Sequence, residues 1–307
     1  MENRANILIC TNASYLQHVA VCLSSLITNS PAIFFNIVVV SRSGEFLDEK
    51  KLSQSLSFSK QHTIAFRQFS PPPDCFLPLN PNAGYTLDIW TRLWVDEFFE
   101  RDVDRVLYLD GDIVITGDIS PLWHCALDGA LLGAVDIPGS PQGVERLGLR
   151  PQDGYFNSGV LLIDLKQWRD TGALKEVLRY VSMNSARLHD PDQDALNGCF
   201  YHRRKRLEYK WNAIRPFFRK PIVLPLSPDE IDHVLRDVRV IHYNGVSKPW
   251  SYFCDHPRRG EYNKYLQMTE WRNFVPADRT PINVLRKHVA RILPTSLKHL
   301  IKLIAAK

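Results

Sequence analysis

The 307 residues carry 45% hydrophobic and 23% charged side chains, enough for one large domain or two small ones, so an intrinsically disordered chain is not the default reading. The formal charge of +5 is unevenly placed: the 29 residues from Arg279 to Lys307 hold seven Lys/Arg and no Asp/Glu, which leaves 31 Lys/Arg against 33 Asp/Glu before them. With no basic surplus on the body no nucleic-acid partner is expected, and a basic, partly apolar tail suits anionic lipid better.

The chain opens with a short apolar run at Ile7-Leu8-Ile9-Cys10, an amphipathic stretch over 15–27 and a second apolar run over 35–40. That order predicts a βαβ unit. A helical pattern over 47–56, a strand at 64–66, a proline-rich loop from Pro71 to Pro81 and a third helix over 88–99 follow. Arg105-Val106-Leu107-Tyr108-Leu109 is apolar on both faces, as a central parallel strand should be, and ends in Asp110-Gly111-Asp112. Strands are then expected at 131–135, 159–163 and 238–241, with helices near 175–185 and 193–200. The fold class is therefore α/β, one nucleotide-binding domain over 1–276 with a separate tail over 277–307. No run of about 18 apolar residues predicts a membrane-spanning helix. The apolar stretch 19–27 is too short and too interrupted, by Ser24 and Ser25, to read as a signal peptide. Six scattered cysteines without C-x-x-C or zinc spacing read as reduced thiols of a cytosolic protein.

Residues i and i+2 on extended chain point the same way, so Asp110 and Asp112 can converge on one point, while Gly111 lets a ligand approach the backbone. Two hard oxygen ligands at the carboxyl end of a strand suit a divalent cation bound to a diphosphate. By itself Asp-x-Asp is a common pair. Three further segments sharpen it. Phe156-Asn157-Ser158-Gly159-Val160 is a polar turn opening an apolar strand, where an Asn amide can both donate to and accept from sugar hydroxyls. Asp190-Pro191-Asp192-Gln193-Asp194 gathers carboxylates at a helix start, where they also suit capping. His242-Tyr243-Asn244-Gly245-Val246-Ser247-Lys248-Pro249-Trp250 offers an imidazole, a glycine turn and a lysine able to meet a phosphate.

In this order, strand-D-x-D, F-N-[SA]-G-V, D-Q-D-x-L-N and H-[YF]-x-G-x-x-K-P-W, the segments resemble those of the bacterial family 8 retaining glycosyltransferases of the GT-A fold. These include lipooligosaccharide galactosyltransferases and lipopolysaccharide glucosyltransferases. The likeness runs from about Ile7 to Trp250. It implies Asp110, Asp112 and His242 as ligands of Mn²⁺ (or Mg²⁺), a set whose chemistry suits that ion. It implies Gly245 and Lys248 as diphosphate contacts, Lys248 steadying the UDP leaving group. Thr11, Asn12 and Tyr15 would meet the uridine, although the family usually carries Asp where Asn12 stands. Arg92, Asp136, Asn157, Ser158, Asp192 and Gln193 would form the donor-sugar pocket, with Asp192 and Gln193 near the anomeric carbon.

The implied reaction is retaining transfer of glucose or galactose from a UDP-hexose to a glycan. Either a double displacement or a front-face attack is open, and the poor nucleophilicity of glutamine favours the second. In the tail, Ile282, Leu285, Val289 and Ile292 recur at helical spacing, Pro294 interrupts, and Leu297, Leu300, Ile301 and Ile304 resume among Arg286, Lys287, Arg291, Lys298 and Lys302. A basic amphipathic pair of this kind lies on an anionic membrane rather than crossing it. It predicts a protein attached peripherally to the inner face of the bacterial cytoplasmic membrane, working on a lipid-linked acceptor such as lipopolysaccharide core. Two other readings stay open: Asp110-Gly111-Asp112-Ile113-Val114 also fits the D-x-D-x-[TV] of haloacid-dehalogenase-type phosphatases, and the same residues could bind nucleotide-sugar without turnover.

Overall fold

The computed structural model describes residues 3–73, 75, 77 and 87–292, the last three by backbone alone. Much of the expected proline-rich loop and the tail positions from Pro294 to Ile304 lie outside the described residues.

The described residues form ten strands: β1 (Arg4–Cys10), β2 (Phe34–Arg42), β3 (His62–Phe69), β4 (Arg105–Leu109), β5 (Ile113–Ile115), β6 (Leu132–Asp136), β7 (Phe156–Asp164), β8 (Arg204–Arg206), β9 (Ala213–Ile214) and β10 (Val240–His242). Seven make a central sheet in the order β3-β2-β1-β4-β7-β6-β8, and β5-β10-β9 make a small second sheet. The large sheet is mainly parallel, as its doubly apolar strands predict. Only β7 runs against its neighbours, pairing antiparallel with β4 and with β6. That reversal matters for position. Leu109, the last residue of β4, lies opposite Val160, so the Asn157-Ser158-Gly159 opening of β7 falls at the same sheet edge as Asp110-Gly111-Asp112. A parallel β7 would have placed it at the far end.

The side chains alternate between two cores as the pleat requires. Leu8, Trp90, Trp168 and Phe200 pack on one face, and Ile7, Ile9, Leu23, Ile37 and Leu107 on the other. Each such side chain contributes roughly 1.5–3 kcal/mol on burial. The helix Leu16–Asn29 is buried from Leu16 to Ile27 without a gap, because it is pressed between the large sheet and β5.

Three of the expected elements differ. Phe156, Asn157 and Ser158 are the first residues of β7 and not a turn before it. The segment Leu87–Glu97 is a tight 3₁₀ helix with a non-helical break at Trp94, not a continuous α-helix. Its apolar side chains Trp90, Leu93, Trp94 and Val95 enter the core while Arg92 is held by polar partners in the cleft, and one straight α-helical face cannot serve both. The strand 105–109 is parallel to β1 but antiparallel to β7, so "parallel" holds on one side only. Among the described residues no helix is long and apolar enough to cross a membrane. The tail begins with a regular helix, Pro281–Ile292, on which Ile282 and Leu285 are well exposed.

Candidate active site

Asp110-Gly111-Asp112 is the turn by which the chain leaves the large sheet at β4 and enters the small one at β5. β10 pairs antiparallel with β5 and sets His242 opposite Ile113, while the Tyr243 N–H donates to the Asp112 carbonyl at 3.0 Å. Sheet pairing thus carries an imidazole 130 residues away in sequence to the two carboxylates. His242 Nε2 lies 3.1 Å from Asp112 Oδ1 and 3.7 Å from Asp110 Oδ2. One ligand atom from each of the three residues falls within 4.8 Å of the others. Gly111 makes room for the wall beneath: a side chain there would meet Val19 at 3.2 Å and Tyr15 at 3.6 Å.

The orientation of His242 follows from main-chain donors. Asn157 Oδ1 accepts the Gly159 N–H at 3.0 Å, which fixes it as the oxygen. It also accepts from Asn212 Nδ2 at 2.8 Å, so Asn212 turns its own oxygen to His242 Nδ1, 3.0 Å away. Nδ1 therefore donates to Asn212, which leaves Nε2 as the atom turned to the carboxylates and able to offer its lone pair to a cation. Three potential ligand atoms of this kind converging on one point could hold a divalent cation.

Around this centre the charges are closely matched. Lys248 Nζ donates to Asp112 Oδ2 at 2.5 Å and to the Tyr243 carbonyl at 2.9 Å. Burial alone would raise the Asp112 carboxyl, but His242 and Lys248 against it hold it well below the usual carboxylate range. Arg92, only 8% exposed, lies 3.1 Å from Asp110 Oδ1 and 3.2 Å from Asp192 Oδ2 and donates to the Ser158 carbonyl at 3.0 Å. Burial pushes the Asp192 carboxyl up to about 6, with Arg92 pulling against it and Asp110 adding to it. The Tyr108 hydroxyl donates to Asp110 Oδ1 at 2.7 Å.

Gln193 is held by its oxygen. Oε1 accepts from Asn157 Nδ2 at 2.9 Å and from the Ser158 N–H at 3.1 Å, while Nε2 donates to the Tyr155 hydroxyl at 2.9 Å. Tyr155 in turn donates at 2.6 Å to Asp194, a fully buried carboxylate that Arg146 neutralises at 2.7 Å.

Thr11, Asn12, Tyr15, Arg92, Asp110, Gly111, Asp112, Asn157, Ser158, Asp192, Gln193, His242, Gly245 and Lys248 all line one cleft of about 400 Å³. Gly245 has φ 83, a left-handed conformation that glycine adopts without strain and that turns the chain back toward Lys248. Asp136 does not line the cleft: its carboxylate is bound by Arg204 and by Arg206 at 3.2 Å, both from the neighbouring strand β8. Sequence reasoning missed Asp88, which also lines the cleft, and Tyr155 and Asn212, which orient its residues. Asn244 and Asp194 stood in the motifs without a role of their own, and Tyr108 had a signal, since on β4 it stands two places before Asp110.

Comparison with known proteins agrees with this geometry. The description Glycosyl transferase family 8 matches residues 6–254. The chain is 28% identical over 294 residues to a lipopolysaccharide 1,2-glucosyltransferase of Escherichia coli K12, covering 94% of this chain and 85% of that protein. It is 25% identical over 274 residues to general stress protein A of Bacillus subtilis 168, covering 87% and 94%. Among solved structures, the galactosyltransferase LgtC in complex with donor and acceptor sugar analogues superimposes with a TM-score of 0.72 at 23% identity, over 89% of this chain and 98% of that one, a likeness of fold. With the four motifs assembled in one cleft and the family match spanning most of its length, the chain belongs to glycosyl transferase family 8 and is a glycosyltransferase of GT-A-like α/β fold.

Proposed function

We propose that this enzyme transfers a hexose, glucose or galactose, from a UDP-sugar to a saccharide acceptor with retention of anomeric configuration. The observation that carries this reading is the convergence of Asp110, Asp112 and His242 within 4.8 Å, with Lys248 on the same carboxylate. A divalent cation held by those three ligands would supply Lewis-acid stabilisation of the diphosphate. Lys248 adds a positive charge where negative charge develops as the anomeric C–O bond breaks. Thr11, Asn12 and Tyr15 line the nucleotide side of the cleft, and Arg92, Asn157, Ser158 and Asp192 the sugar side.

Front-face attack is the better supported route. A double displacement through Gln193 would need its oxygen, and that oxygen already accepts two hydrogen bonds; Asp192 Oδ2 is likewise engaged by Ser158 at 3.1 Å and by Arg92. In the front-face route the acceptor hydroxyl oxygen bonds to the anomeric carbon, the bond to the phosphate oxygen breaks on the same face, and the hydroxyl proton passes to that phosphate oxygen. The fixed Gln193 amide then orients the sugar rather than attacking it. A haloacid-dehalogenase phosphatase reading finds no support, because Asp110 is tied to Tyr108 and Arg92 instead of standing free as a nucleophile.

UDP release from UDP-glucose or UDP-galactose is expected with Mn²⁺, suppressed by a chelator and restored by added metal. A screen of nucleotide-sugars in which no UDP-sugar is turned over, or even shifts the melting temperature, would overturn the proposal.

The name of the Escherichia coli relative supports lipopolysaccharide core, or another lipid-linked glycan, as acceptor. Helix Pro281–Ile292 supports attachment to an anionic membrane surface at the inner face of the bacterial membrane: Ile282 is 64% and Leu285 63% exposed, with the exposed Arg286 beside them. The full chain should co-sediment with vesicles containing phosphatidylglycerol, more weakly as salt is raised, and not with phosphatidylcholine alone. Equal partitioning to both, or to neither, would refute the membrane assignment.

A further inference from the structure

The loop that carries Lys248 is gripped from two sides. Inside, Trp250 stacks on His18 with ring centroids 3.4 Å apart and planes 13° from parallel, and meets Tyr15 edge-on at 5.5 Å. Outside, a single carboxylate collects the next three residues. Asp278 accepts the Ser251 hydroxyl at 2.6 Å, the Tyr252 N–H at 2.7 Å and the Phe253 N–H at 3.4 Å. Ser251 is also the residue whose own N–H donates to the Lys248 carbonyl at 3.0 Å. A chain of hydrogen bonds therefore runs from Asp278 through Ser251 to the backbone of Lys248. It continues outward, since the Asp278 carbonyl accepts from Asn283 at 2.8 Å and Lys287 donates to the Tyr252 carbonyl at 2.5 Å. Burial acts to raise the Asp278 carboxyl, but Ser251 and the two main-chain donors outweigh it and keep it ionised, able to accept all three bonds.

We propose that Asp278 is a positioning residue for the transfer reaction, fixing the 251–253 turn and with it the reach of Lys248 into the cleft. The proposal rests on the reading of Lys248 as the diphosphate contact. It makes the start of the C-terminal segment part of the catalytic machinery, although Asp278 touches neither substrate nor the reacting atoms. The alternative is an ordinary turn cap, which would influence melting and leave the chemistry alone.

The test is a double-mutant cycle on the full chain, reading kcat and KM for UDP release from the UDP-hexose it turns over, with melting temperature alongside. Lys248→Ala should lower kcat about 100-fold, and Asp278→Ala about tenfold, since a displacement near 1 Å is costly at a reacting centre. The double variant should be no slower than Lys248→Ala alone, because Asp278 acts through the lysine. Ser251→Ala, which removes one bond of three and little packing, should give a smaller loss that also vanishes in the Lys248→Ala background; it serves if Asp278→Ala does not fold. An unchanged kcat in Asp278→Ala and Ser251→Ala beside a crippled Lys248→Ala overturns the proposal alone, as does a double variant whose losses multiply. Full activity of Lys248→Ala overturns the reading of the lysine and the proposal with it.

Discussion

Asp112→Ala should lower the rate of UDP release by about a thousandfold, the largest single loss expected from this site. One carboxylate there does two jobs: Oδ1 faces His242 Nε2 at 3.1 Å and Oδ2 holds Lys248 at 2.5 Å. Removing it takes away a proposed metal ligand and frees the lysine to follow the Tyr243 carbonyl or the open cleft. Asp112→Asn keeps the shape but offers one oxygen and no charge, so it should lose about a hundredfold. Asp110 cannot compensate, being braced by the Tyr108 hydroxyl at 2.7 Å and by Arg92 at 3.1 Å. Turnover assays paired with calorimetric titration of Mn²⁺ in the presence of UDP would separate lost cation affinity from lost lysine placement. An Asp112→Ala enzyme that keeps most of its rate would remove the foundation of the proposed metal–diphosphate site.

Gly159→Ala should be nearly as damaging, through one methyl group. A Cβ at Gly159 would stand 2.7 Å from Asp110 Oδ2 and 2.9 Å from His242 Nδ1, and closer still to His242 Cε1. The imidazole has no easy retreat: it is hydrogen-bonded to Asn212 at 3.0 Å and its backbone is paired with β5 and β9 on either side. Overpacking of this kind costs about 1–3 kcal/mol of stability, so the chain should fold with a lowered melting temperature. The same displacement spreads the three ligand atoms and should reduce turnover about a hundredfold. If Gly159→Ala instead retains rate and cation affinity, the geometry of His242 against Asp110 is not what the reaction depends on.

The four motifs were readable because each joins a local pattern to a chemical one. Leu109 to Asp112 goes from an apolar run to paired acids in four residues, and such a break at a strand end is visible without any partner. The mainly parallel sheet was readable for the same reason. What could not be read depends on distant pairing. Asn212 has meaning only because it lies between Asn157 and His242, 55 and 30 residues away. Tyr155 and Asp194 acquire theirs from each other, 39 residues apart. Strands β5, β8 and β9 are two or three residues long and were not predicted, although β10, also of three residues, was. Asp136 entered the expected sugar pocket through the family resemblance, and only the arginines of β8 reveal that its charge is paired outside the cleft. The 3₁₀ segment at Leu87–Glu97 shows the same limit, since three-residue and 3.6-residue periods are hard to separate over eleven residues.

The amides between Gln193 and His242 form a line with a direction. Gln193 Oε1 receives from Asn157, Asn157 Oδ1 from Asn212, and Asn212 Oδ1 from the imidazole. Reversing any one amide would set like against like at its neighbour, oxygen to oxygen or N–H to N–H, so the members can only turn together. The direction is imposed by two main-chain N–H groups of β7, those of Ser158 and Gly159, which cannot reverse in a folded sheet. The Gln193 amide and the His242 imidazole are thus oriented by the fold itself, whatever ligand arrives. The reorganisation that a solvent would undergo during the reaction is completed here during folding, which makes the site a preorganised electrostatic environment whose polarity is written in the backbone of one reversed strand.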